Sequence, residues 1–408
     1  MKSFKQLVEA SEKNVHMTHI EDRVIYGGVK GAREAIFALR SLRDMLAGGS
    51  SGRTNVTVKW DGAPAVFAGT DPRDGQFFVA KKGIFNKDPK VYKSHKDIEA
   101  DTSGDLAKKL KVAFDELRKI GINGVLQGDL MFTKDDVKSE TIDGERYITF
   151  QPNTIVYAVN RNSDLGKQIS RARLGIVFHT SYSGRDFESM KAEFKVDVSK
   201  LKRNSRIWFD DAGVKDLSGT ATLTAGETAQ VTSAISKAGK IFQTISGNTL
   251  RELDANPDLA SKIETFNNTI VRTGKRIENT SQHVDNLLAW FDERYVKELE
   301  KRSSEKGREA VMQRRSETFK FFSPENKKNL VLMFDLMNAI VDAKLLIISK
   351  LDDLKQMNTF VLTRNGFKVT GQEGFVAIDD KGGAVKLVDR LEFSYNNFSP
   401  DTIKGWEK

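Results

Sequence analysis

Strand-forming sequence occurs twice in this chain, on either side of a long helical run, and few folds accommodate that order. From Thr54 to about Gly184, short β-branched and aromatic runs recur: TVKW, AVFAG, QFFVAKKGIF, GVLQGDLMF, RYITF, TIVYAV and LGIVFHTSY. One helical segment, DLAKKLKVAFDELRKIG, breaks them. After a short mixed stretch holding RIWFDDAGV, amphipathic helices dominate from about Ala225 to Leu354, among them AQVTSAISKAGKIFQTI, DNLLAWFDERYVKELEKR and KKNLVLMFDLMNAIVDAKLLIISKLDDL. Strand texture then returns in NTFVLTRNGFKVTG, EGFVAIDD and GAVKLVDRLEF. The order predicts an α+β fold in which a β-rich domain is interrupted by a mostly helical insertion.

A helix is also expected over GVKGAREAIFALRSLRDML, where Ala35, Ile36, Leu39, Leu42 and Met45 share one face, with a stop at Gly48-Gly49-Ser50-Ser51-Gly52. The expected division is an N-terminal helical segment over 1–50, a first core part over 51–184, the insertion over 185–358, and a second core part with its tail over 359–408.

Charge and cysteine content narrow the function. The chain carries 65 Lys+Arg against 56 Asp+Glu, a formal +9, which favours a polyanionic partner. It has no cysteine, so disulfide scaffolds and thiolate metal sites are excluded and a reducing compartment fits. The opening MKSFKQLVEASEKN is too polar for a signal peptide, and no apolar run approaches the about 18 residues that span a bilayer. A cytoplasmic location without a membrane partner is therefore expected. The histidines, at 16, 19, 95, 179 and 283, are too scattered for a histidine metal site, and no P-loop, Rossmann glycine pattern or nucleophile elbow occurs.

The chemistry-bearing candidate is Lys59-Trp60-Asp61-Gly62, in TNVTVKWDGAPAVFAG. Val56 and Val58 alternate with Thr57 and Lys59 as in a strand, and the apolar pattern resumes at Val66 and Phe67 after the turn. The plain reading is a hairpin turn. The functional one is a lysine at a strand mouth whose amine, once deprotonated, attacks phosphorus. Such a site also needs cations for phosphates, carboxylates for a metal and an aromatic platform for a base. FFVAKKGIF offers Lys81 and Lys82 at a strand end, VLQGDLMF places Asp129 in a strand apolar on both sides, and LGIVFHTSYSG sets Phe178 before His179. GQEGFVAIDDKGGAVKLVDR holds Glu373 and Lys386 on two strands joined by the Asp379–Gly383 turn. Asp143-Gly144-Glu145, in a polar setting, reads as a plain turn, and His19-Ile20-Glu21-Asp22 as a helix cap.

In these motifs the chain resembles the covalent nucleotidyltransferase superfamily of ATP-dependent DNA and RNA ligases and mRNA-capping enzymes, over roughly residues 54–184 and 359–390. The Lys-x-Asp-Gly motif is matched by KWDG and Glu-Gly-x-Val by EGFV, whereas Gln127-Gly128-Asp129-Leu130 has Asp where the family has Glu, and VKLVD keeps one lysine of Lys-x-Lys. It is also similar to tailed-phage proteins with the same THIED…GG segment, which would put it in a host-cell cytoplasm.

The resemblance implies an ATP-grasp-like nucleotidyltransferase core of antiparallel sheets. Lys59 would be adenylated, Asp61 and Gly62 would shape its turn and contact the ribose region, and Lys81 or Lys82 would lie near the substrate phosphate. Asp129 and Glu373 would bind the ribose or the catalytic magnesium (manganese being the alternative ion), Phe178 would stack on adenine, and Lys386 would hold the α-phosphate, with Arg390 compensating for the missing lysine. The implied activity is an ATP-dependent polynucleotide ligase joining 5′-phosphate and 3′-hydroxyl ends of RNA or DNA. The competing readings are a non-catalytic nucleic-acid-binding protein and a capping-type guanylyltransferase.

Only 22 residues follow Lys386, too few for the family's C-terminal OB domain, which favours an RNA-ligase-like enzyme. The insertion over 185–358 is the expected nucleic-acid-binding part. From Tyr295 to Ser316 it carries seven cations against four glutamates, read either as a backbone clamp or as a solvated face of i,i+4 pairs.

Overall fold

A computed structural model describes residues 17–48, 55–194, 196–214, 222–378 and 384–407. The expected stop at 49–52, the turn at 379–383 and the first sixteen residues lie outside them.

The chain opens with α1 (Arg23–Tyr26) and α2 (Gly28–Leu46), the latter running over the span that its apolar face predicts. Strands β1 (Asn55–Val58), β2 (Ala65–Thr70) and β3 (Phe77–Ala80) follow, then α3 (His95–Asp101) and α4 (Gly104–Leu117). Next come β4 (Val125–Thr133), β5 (Lys138–Ile142), β6 (Glu145–Phe150) and β7 (Ile155–Asn160). Asp143 and Gly144, both at positive φ, form the β5–β6 turn. After α5 (Asp164–Arg171) come β8 (Leu174–Ser183), β9 (Lys191–Glu193) and β10 (Ile207–Asp211).

Six helices then follow: α6 (Ala225–Thr244), α7 (Gly247–Asp254), α8 (Pro257–Arg272), α9 (Thr280–Glu300), α10 (Glu305–Phe321) and α11 (Pro324–Asp352). Their starts are written in the sequence. The side chains of Thr224, Asn256, Asn279, Ser304 and Ser323 each accept a hydrogen bond from a first-turn amide, and Pro324 occupies a position where its missing N–H costs nothing. The chain closes with β11 (Asn358–Thr363), β12 (Gly366–Val369), β13 (Phe375–Ile378), β14 (Ala384–Leu387) and α12 (Arg390–Phe398).

Among the described residues the fold is α+β with three sheets, ordered β1-β13-β14, β10-β8-β4-β2-β3 and β12-β11-β7-β6-β5. Strands made after the helical run pair with strands made before it. Phe375 opposes Val58, and Thr359 opposes Tyr157. The helical layer is thus inserted between partners in two sheets, as the strand–helix–strand order predicts.

One apolar core unites α1, α2 and the later helices with one face of the β1-β13-β14 sheet, to which Val56, Phe375, Ala377 and Leu387 contribute. The N-terminal helices therefore share the core of the helical layer. Side chains alternate across a strand, so Thr57, Val376 and Lys386, aligned across the three strands, project from the opposite face. That face carries the candidate site. No helix among the described residues is long and apolar enough to cross a membrane.

Candidate active site

Lys59 extends β1 by one residue. Its amide donates to the Gly374 carbonyl at 2.8 Å, continuing the β1–β13 register. This brings its side chain to Glu373, with which it forms an ion pair; the side chains are 27% and 10% exposed. The approach depends on Gly374. It sits at φ +145°, and a Cβ there would lie 2.6 Å from the Leu387 carbonyl oxygen.

The Asp61 carboxylate anchors the turn after Lys59. It accepts the Thr154 and Ile155 amides at 2.7 Å each and Asn153 Nδ2 at 2.6 Å, while the Asp61 amide donates to the Tyr157 hydroxyl at 2.7 Å. Shaping the turn is what these bonds do, and they engage both carboxylate oxygens within the chain. The Ala63 amide donates to the Leu130 carbonyl and the Leu130 amide to Pro64, both at 3.0 Å, which holds the turn against β4. Gly62 consequently abuts Asp129, where an added Cβ would stand 2.5 Å from the Asp129 Cβ.

Segments far apart in sequence thus place Lys59, Asp61, Asp129, Glu373 and Lys386 in one electrostatic neighbourhood. Burial pushes the Glu373 carboxyl up to about 7; Lys59 opposes this, while Asp61 and Asp129 add to it. Burial also lowers the Lys386 ammonium, and the Lys59 charge acts in the same direction. Phe393, on the inner side of α12, lies with its ring centre 6.0 Å from Lys59 Nζ.

Other expected residues fall elsewhere. Phe178 is fully buried and packs on Phe209 with the α4 side of the sheet, so it borders the cavity described below without exposing a face on which a base could stack. The bulge in the β4–β8 pairing turns its neighbour His179 toward the site instead, with Nε2 3.7 Å from Asp129 Oδ2. Lys81 and Lys82 follow edge strand β3, two strands from β4. Lys81 pairs with Asp101 at 3.2 Å and Lys82 is exposed. Arg390 is held by Asp22 at 3.0 Å and by Asn268, so it does not take the place of a second lysine.

The histidine–acid segment before α1 does more than cap a helix. Asp22 makes no side-chain cap bond there. The Ile20 amide donates to the Lys386 carbonyl at 3.1 Å and the Lys386 amide to Thr18 at 3.0 Å, so the segment runs beside β14. Glu21 reaches the helical layer and pairs with fully buried Lys344 at 2.8 Å; burial opposes its charge, but Lys344, His19 and Arg390 hold its carboxyl down to about 2. A cluster of acids and a histidine just ahead of an apolar helix was the available signal.

Among the described residues no three His, Asp or Glu side chains form a metal cage. Magnesium needs none, because it takes one or two carboxylates and completes its shell with phosphate oxygens and water. Asp129 and Glu373, whose mutual repulsion helps raise Glu373, fit that requirement. A cavity of about 440 Å³ is lined by Thr57 and Ile378, by Phe178 and His179 and by residues 211–214; His179, which approaches Asp129, is the link between it and the site, and Lys59, Glu373 and Lys386 are not part of its wall. Its volume lies within the about 300–1,000 Å³ typical of small-molecule sites.

Residues 14–402 match the Family of unknown function (DUF6267), and the chain belongs to that family. No curated protein and no solved structure matches it.

Proposed function

We propose that this DUF6267 chain is an ATP- and magnesium-dependent polynucleotide ligase built on an ATP-grasp-like nucleotidyltransferase core. The observation that carries the reading is the convergence of Lys59 with Glu373 and Lys386 across 314 and 327 positions of sequence (373 − 59 and 386 − 59).

Glu373, with its raised carboxyl, takes the ammonium proton of Lys59. The free amine attacks the α-phosphorus of ATP. An N–P bond forms, the P–O bond to the β-phosphate breaks, and pyrophosphate leaves. Lys386 faces the α-phosphate charge; Asp129, joined by Glu373 once its proton has passed to solvent, would hold magnesium, which would offset the charge of the leaving group. The base enters the cavity past His179. A 5′-phosphate oxygen next displaces Lys59 from phosphorus, and a 3′-hydroxyl then displaces AMP to seal the strand.

The unreplaced second lysine favours a second reading, a nucleic-acid-binding protein on the same fold without turnover. Incubation with α-labelled ATP and magnesium separates them. A covalently labelled chain, sensitive to acid and stable to alkali as a P–N bond is, absent in Lys59→Ala, supports the enzyme. No label from any nucleotide triphosphate overturns it. Sealing assays on nicked and single-stranded RNA and DNA then identify the substrate.

A further inference from the structure

Exposed aromatic rings are concentrated at one end of the chain. Among the described residues the exposed large aromatics are Phe37, Tyr395, Phe398 and Trp406, at 51%, 46%, 57% and 66% exposure. Three of the four thus fall on α12 and the tail that follows it. Tyr395 and Phe398 are three residues apart, hence neighbours on the outer face of the helix whose inner face carries Phe393 over Lys59. Lys404 donates to the carbonyls of Asn396 and Asn397, which fixes the turn bearing Trp406 against the same helix.

Cations stand over the two helical rings. Lys368 Nζ, on β12, lies 4.7 Å from the Tyr395 ring centre, and the Arg272 guanidinium, at the end of α8, lies 5.4 Å from that of Phe398. Neither cation has an ion-pair partner among the described residues. In the cation-rich stretch from Tyr295 to Ser316, four of the seven cations are paired with carboxylates of α9. Lys297 pairs with Glu293, Arg302 and Arg314 share Glu298, and Arg315 pairs with Asp292.

We propose that the Tyr395–Phe398 ridge, flanked by Lys368 and Arg272, binds single-stranded nucleic acid by stacking bases on its rings while the two cations contact phosphates. Adjacent rings flanked by cations that have no ion-pair partner among the described residues suit a flexible strand with splayed bases, whose every base offers a π-face. A duplex hides those faces, and a groove reader would need a protruding element in place of flat rings. The inference deepens the ligase reading by naming the strand form delivered to Lys59, and it rests on that reading only for this purpose.

The test is a fluorescence-anisotropy titration of the full chain with a labelled 20-nucleotide single strand and its duplex, without ATP. We expect the single strand to bind tighter than the duplex. Tyr395→Ala with Phe398→Ala weakens it by about tenfold per ring, and Tyr395→Phe with Phe398→Tyr restores it. Lys368→Ala and Arg272→Ala each lower the salt slope by about one phosphate contact, whereas Arg302→Ala with Arg314→Ala leaves it unchanged. Equal affinity in the double aromatic variant overturns the proposal and assigns the ridge to a protein partner. Loss that follows Arg302 and Arg314 overturns it in favour of the α9–α10 face. Because no nucleotide is present, failure of Lys59 labelling leaves this outcome readable by itself.

Discussion

Lys59 and Glu373 meet as an ion pair although they stand 314 positions apart (373 − 59), because β13 is hydrogen-bonded alongside β1. The carboxyl in this pair is raised from its ordinary value of 4.5 to about 7, so the folded chain binds a proton there that the unfolded chain releases. Its contribution to stability is full below about pH 4.5 and is lost as pH rises through about 7. In Glu373→Gln that loss disappears. Relative to the parent, the variant should gain about 3 kcal/mol of unfolding free energy between pH 4.5 and 7.5, at about 1.4 kcal/mol for each pH unit separating the folded and unfolded titrations. Urea titrations across that range measure it, and parallel pH dependences would count against the assignment. The same substitution should remove the rise in Lys59 labelling through about pH 7.

Asp61 accepts three hydrogen bonds, two of them from backbone amides. Asp61→Ala orphans these donors at a buried site and should cost about 2–4 kcal/mol. Asp61→Asn, which keeps one acceptor oxygen, should recover part of it. If the urea midpoint is unmoved in the alanine variant, the turn is held by other contacts.

The ring that faces the site is His179, whereas Phe178 belongs to the core. His179→Ala should leave the urea midpoint nearly unchanged and raise the ATP concentration for half-maximal labelling about tenfold, the loss of roughly 1.4 kcal/mol of stacking. Phe178→Ala should cost about 3–5 kcal/mol of stability. A Phe178→Leu chain that folds like the parent but labels poorly would return the stacking role to Phe178.

Glu21 and Lys344 are both nearly inaccessible and join the segment beside β14 to α11. Lys344→Met alone leaves the buried Glu21 carboxylate with only Arg390, at 3.6 Å, as its ion-pair partner and should destabilise by about 3–5 kcal/mol. Adding Glu21→Leu should restore most of it, because two apolar side chains need no partner in that core. A double variant as weak as the single one would show that the pair contributes more than mutual neutralisation.

Elements with a strong period were legible in the sequence. The five apolar positions of α2 and the alternation through Val56 and Val58 identify their elements before any tertiary contact is considered, because each reports which face is buried. The turn that ends KWDG was legible from Asp61, Gly62 and Pro64. Which ring faces the site was not, because the bulge that rotates His179 toward Asp129 is a property of the β4–β8 pair and leaves no mark on either strand alone. The internal bonds of Asp61 were equally hidden, since its partners at 153–155 sit in a polar turn like many others. The paired state of the α9–α10 cations was half visible. Glu298 and Arg302 are four apart, but the Arg314 bond to Glu298 crosses between helices.

The return of β13 and β14 to β1 also orders events during synthesis. A ribosome delivers β1 early, and residues 212–214 can bond to it at Val56 and Val58 once they are made. Its pairing with a full strand waits for Phe375–Ile378, which emerges after the whole helical layer. Until then Lys59 lacks the neighbours at 373 and 386 that set its surroundings. Closure of so long a loop is a late and slow step. A chain made only as far as the helical layer therefore carries Lys59 without its setting, which is completed when β13 and β14 are made.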